Sequence, residues 1–195
     1  MRHLPSLHPF IANRRNANRM PVTNIQDLAR MTDEMLDTYQ TLIADCEDAD
    51  VVFVPDDPEA HDLAAANESD IDLAWTLGHV IVHMTASGEE AAFLAAELAR
   101  GVEHHGRSRF EVPWQMMLTI EGCRKRIEES RRMRLATLQV WPDEPHLENV
   151  YIPQRKGVRP KSAIGYFLHG LRHDASHLEH VRKIIQQART ARMLE

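Results

Sequence analysis

The stretch HGLRHDASHLEH, residues 169–180, carries four of the chain's twelve histidines at helical spacing. At about 100° per residue, His173 and His177 project from one face, about 6 Å apart along the axis. Their stripe continues through Tyr166 and Gly170 before them and Val181 and Ile184 after them. Arg172, Ser176, Glu179, Lys183 and Gln186 fall on the opposite arc. The pair therefore belongs to the inward face of a long helix, from about Lys161 to Arg192. His169 and His180 lie nearer its polar edge. Two interior imidazoles can hold an ion together, or they can be hydrogen-bonded core residues; spacing alone does not choose.

A second pair stands in WTLGHVIVHM, residues 75–84, where His79 and His83 are again four apart among Val, Ile, Leu and Met. Burying an imidazole in such company without a partner costs a few kcal/mol, about the loss of a hydrogen bond. Facing helices of a bundle are where histidine metal sites are built. The helical period places this pair on a helix from about Ile71 to Arg100, capped by Ser69 or Asp70 and stopped by Gly101. Two further helices are expected. One runs from about Asn24 to Cys46, capped by Thr23 or Asn24. The other runs from about Trp114 to Thr137, with Met116, Ile120, Cys123 and Ile127 on one stripe. VVFVP, residues 51–55, reads as an extended connector, followed by the acidic DDPEAHDLAAANESD. Four helices with long links predict an all-α four-helix bundle with long crossover loops, its topology open.

Composition agrees. Apolar residues are 43% and aromatics 6%, with only eight glycines, so the core is expected to be aliphatic and helical. A formal charge of −6 argues against general nucleic-acid binding. No apolar run approaches the ~20 residues of a membrane span. Two lone cysteines, Cys46 and Cys123, form no disulfide framework and read as packed thiols of a cytoplasmic protein. Residues 1–22, with four arginines and no acid, are expected to be a leader outside the fold, with Met20 an alternative start. Residues 23–195 are expected to be one helical domain. Arg124, Lys125, Arg126, Arg131, Arg132 and Arg134 read as a solvated face paired with Glu121, Glu128 and Glu129. His104-His105 reads as exposed loop, and Trp75 as core packing.

The motifs Trp75-Thr76, His83 and His173-Asp174-Ala175-Ser176-His177, in that order and spacing, resemble the DinB/YfiT-like superfamily over about residues 24–190. The resemblance implies an antiparallel four-helix bundle with a divalent metal, zinc or nickel foremost and iron also suited, held by His83, His173 and His177. His79 departs from the family pattern; it is a neighbour that orients a ligand, an alternative ligand or a proton carrier. Asp174, Glu90 and Glu179 are candidates to orient the rings. The resemblance also implies a low-molecular-weight thiol as co-substrate and a small-molecule electrophile, giving an S-transferase or isomerase. His79 or His180 would move the proton. A hydrolase of the same superfamily is the alternative, and a non-catalytic metal-binding stress-response protein another. A fourth ligand would favour the latter, because structural sites close with four. No nucleic acid or membrane partner is expected, and a homodimer is.

Overall fold

The computed structural model describes residues 24–62, 68–107, 112–153, 157 and 159–194; the expected leader lies outside them. Five helices are present: α1 Ile25–Leu42, α2 Asp48–Val52, α3 Leu77–Ala99, α4 Ile120–Leu138 and α5 Ala163–Arg192. The fold is all-α, with one isolated bridge between Tyr151 and Lys161. No helix among the described residues is long and apolar enough to cross a membrane.

Each long helix starts where a short polar side chain satisfies an otherwise orphaned amide. Asn24, Thr76, Thr119 and Ser162 accept from the backbone N–H groups of Asp27, His79, Gly122 and Gly165. These caps correct two expected boundaries. Residues 68–70 form only a 3-10 turn, and Thr76 rather than Ser69 or Asp70 opens α3. Trp114–Met116 is likewise a separate 3-10 turn, and α4 waits for Thr119. Met116 is 74% exposed and leaves the stripe expected for it. The connector VVFVP is also revised. Val51 and Val52 close α2, whose capping box joins Glu47 and Asp50, and only the following residues are extended.

Contacts fix the helix directions. Gln40 reaches Arg124 and Asp33 reaches Arg131, so α1 and α4 are antiparallel. Trp75 lies by His180 and Gly170 by Ala91, so α3 and α5 are antiparallel. Tyr39 meets Asp174 and Glu47 meets Arg192, so α1 and α5 run the same way. The order is up, down, down, up, with α1 and α3 on one diagonal and α4 and α5 on the other. The link from α3 to α4 must therefore travel the length of the bundle. Its described parts follow the α3/α5 side: His104 stacks on Tyr151 at 4.0 Å, Arg107 pairs with Glu90, and Trp114 stacks on His79 at 4.7 Å. His104 is thus half-buried rather than loose loop, while His105 is exposed and bonds Glu97 at 2.8 Å.

All four long helices meet at Arg134. Its guanidinium, 1% exposed, forms an ion pair across the diagonal with Asp174, 0% exposed. It also donates to the carbonyls of Met84 and Thr85 on α3, at 3.3 and 3.5 Å. Tyr39 of α1 donates to the Asp174 carbonyl at 2.7 Å. Gly88 makes the room: a Cβ there would stand 2.0 Å from an Arg134 nitrogen. The expected solvated face of α4 is therefore only partly so. Lys125–Glu121 and Arg132–Glu129 fit it, whereas Arg126 turns to Glu89, Arg131 is 16% exposed and reaches Asp33 and Asp37 on α1, and Arg134 enters the core.

Candidate metal centre

α3 is apolar around most of its circumference and so is buried on nearly every side. His83 is one of its few half-buried positions. Opposite it, the inward stripe of α5 presents His173 and His177, also half-buried, while Arg172, Ser176, Glu179, Lys183 and Gln186 are exposed. His173 Nε2 lies 3.2 Å from His83 Nε2 and 3.3 Å from His177 Nε2. All three nitrogens lie within 4.8 Å of one another, a group that could hold a metal ion.

Two physical arguments test the fit. A neutral imidazole Nε2 is either a donor or an acceptor. His173 Nε2 can therefore satisfy one of its two close neighbours by a hydrogen bond, and the other contact is left with mismatched nitrogens. A shared cation relieves both. Second, tetrahedral ligands at the usual zinc–imidazole length stand about 3.3 Å apart, the spacing of the His83–His173 and His173–His177 pairs. The rings are also in the ligand-competent form. Burial first, then the neighbouring imidazoles His177 and His83, hold His173 down to about 3. Burial, then His83 and His180, hold His177 down to about 4. Both are neutral at neutral pH.

Among the described residues no fourth His, Cys, Asp or Glu joins the group. His79 stands one turn away, its ring sandwiched between the indoles of Trp75 at 4.5 Å and Trp114 at 4.7 Å. His180 lies at the edge, its ring 6.4 Å from His177 and its Nε2 3.9 Å from an Asp57 oxygen. Trp75 is more than core packing. It touches the site, with ring centroids 4.6 Å from His83 and 5.9 Å from His177. Trp114 had no signal in the sequence, because it arrives on the crossover link rather than by helical period.

None of the carboxylates expected to orient the rings does so. Asp174 faces the other way, into Arg134. Glu90 is taken by Arg107, and Glu179 bonds Arg182 at 3.5 Å. His173 Nδ1 is buried with no hydrogen-bond partner among the described residues.

The family model of the DinB superfamily matches residues 31–181, from α1 into α5. The chain belongs to the DinB superfamily. Comparison with curated proteins and with solved structures gives no match. Membership accords with a metal-binding helical bundle. All three histidines of the group fall inside the matched DinB span.

Cys46 and Cys123 are both buried free thiols. Burial pushes Cys123 up to about 12 and raises Cys46, so neither is a ready nucleophile.

Proposed function

We propose that the protein is a metal-dependent enzyme whose ion is held by Nε2 of His83, His173 and His177. The observation that carries this reading is three imidazole nitrogens at ligand spacing with no fourth ligand among the described residues, the arrangement of catalytic rather than structural sites. Imidazole donors suit Zn²⁺, Ni²⁺ or Fe²⁺. When bound, such an ion lowers the pKa of a coordinated thiol or water and so supplies a nucleophile at neutral pH.

Our preferred chemistry is S-transfer or isomerisation with a low-molecular-weight thiol and a small electrophile. Trp75 borders His83 and His177 with its indole, a surface that suits an apolar or aromatic electrophile, and Trp114 backs it through His79. His79, covered on both faces, fixes the two indoles. His180 is the proton carrier: burial holds its pKa below the ordinary value against the pull of Asp57, so its ring is a neutral base near His177. Hydrolysis is the second reading, favoured by the same His180–Asp57 arrangement, which would serve a water nucleophile equally well. A non-catalytic metal-binding role would need the ion site closed by a further ligand.

The test is metal content of the purified full chain, without chelator, beside His83→Ala, His173→Ala and His79→Ala. One equivalent in wild type, lost in the first two and retained in His79→Ala, supports the assignment. Metal-free wild type overturns it. Turnover of a simple aryl chloride with a thiol then separates transferase from hydrolase.

A further inference from the structure

Four of the five arginines of α4, Arg126, Arg131, Arg132 and Arg134, are paired with carboxylates, and Arg124 donates to the Ala44 carbonyl. A different set of cations gathers at the other side of the histidine group. Lys161, just ahead of α5, and Arg172, one residue before His173, have no carboxylate within ion-pair range among the described residues. Arg107, from the crossover link, is ion-paired with Glu90. Burial, then Arg107 and Arg172, hold the Lys161 ammonium below its ordinary value, so the three charges act on one another. With Arg107 paired to Glu90, Lys161 leaves a local excess of one positive charge on a chain whose net charge is −6.

Two of these cations border a recess, Arg107 in its lining and Lys161 beside its Tyr166, whereas Arg172 is exposed and outside the lining. Ser87, Arg107, Tyr166, His169 and His173 line it, and its volume is about 30 Å³. The Lys161 ammonium sits at its rim, 5.5 Å from the centre of the Tyr166 ring. Since one water needs at least about 10–15 Å³ of such space, the recess takes roughly two water-sized groups, the bulk of a carboxylate. Its small floor comes from Gly170 lying against Ala91, where a Cβ on the glycine would be only 2.8 Å from the alanine's. The recess ends at His173, so a molecule anchored there reaches the three-histidine group.

We infer that this recess seats a carboxylate of a small-molecule substrate or thiol co-substrate, with Arg107 and Lys161 supplying the charge and the Ser87 and Tyr166 hydroxyls donating hydrogen bonds. The inference rests on the proposed ion site for its functional meaning, but the anion subsite is testable without it.

Calorimetry on the zinc-loaded full chain compares two pairs of probes. Mercaptoacetate against 2-mercaptoethanol places the carboxylate on a thiol; benzoate against benzamide places it on an aromatic partner. At least one charged member should bind about tenfold tighter than its neutral twin, as charge-assisted hydrogen bonding implies, and the pair that responds identifies the source. Lys161→Gln and Arg107→Gln should each shrink that preference to about threefold or less, with helical circular dichroism unchanged. No preference in either pair, or a preference that survives both substitutions, overturns the subsite. If both thiols fail to bind while benzoate keeps its advantage, the thiol reading falls and the subsite stands. If the protein takes up no zinc, the benzoate pair on metal-free protein decides the subsite by the same criteria.

Discussion

Removing the Asp174 carboxylate should be among the most damaging single changes in the chain. Asp174 and Arg134 are 0% and 1% exposed, so Asp174→Ala leaves a guanidinium in the core with two carbonyl acceptors and no counter-charge. Breaking a buried pair in this way costs about 3–5 kcal/mol. That is a large share of the 5–15 kcal/mol that typically holds a protein together, of order. With a urea slope of about 2 kcal/mol/M, the unfolding midpoint should fall by roughly 2 M. The partner experiment is the double variant Asp174→Leu/Arg134→Met, which removes both charges and keeps apolar volume. It should recover most of the loss, because the penalty lies in the unpaired charge rather than in the missing attraction. Urea unfolding followed by circular dichroism measures all three. A cost below about 1 kcal/mol for Asp174→Ala would refute the reasoning, since it would mean that water reaches Arg134.

Three further outcomes follow from the same contacts. Gly88→Ala places a Cβ 2.0 Å from an Arg134 nitrogen; it should destabilise by about 1–3 kcal/mol through overpacking, read by thermal unfolding, and the cost should vanish in the Asp174→Leu/Arg134→Met background. Trp114→Ala uncovers one face of His79; it should leave metal content unchanged while raising KM for an aromatic electrophile. In metal-free protein, His173 and His177 are held to about 3 and about 4, below the 6.5 of an unperturbed ring. Between pH 6.5 and about 4 the unfolded chain binds more protons than the folded one, so stability should fall as pH falls through that window. Urea midpoints across it should flatten in His173→Gln/His177→Gln; an unchanged slope would dismiss these rings as its source.

The helical period revealed the inward stripe of α5 because His173, His177, Val181 and Ile184 sit on one strongly biased face. It overran the start of α3 because acidic residues 68–72 are as compatible with a helix as with a turn, and only the Thr76 hydroxyl on the His79 amide settles the matter. Helical spacing alone does not separate His79 from His83; only the family resemblance does. Both share a face in sequence, and what removes His79 is Trp114, brought by a link whose path no periodicity encodes. The same limit applied to charge. A pattern of Arg and Glu at helical spacing describes Arg132 well, but it cannot show that Arg134 has a glycine opposite and an aspartate across the diagonal.

The histidines of α5 form a ladder: His169, His173 and His177 are each four residues apart. Sliding α5 by one turn, about 5.4 Å, would offer His83 an equivalent pair, His169 with His173. An ion alone reads both alignments as the same message. What distinguishes them lies away from the histidines. In the slipped alignment Tyr166 would occupy the place where Gly170 touches Ala91, and Arg134 would lose its only carboxylate among the described residues. The buried pair thus works as the key of a combination whose visible digits repeat, and its value to the protein is unambiguous assembly as much as stability.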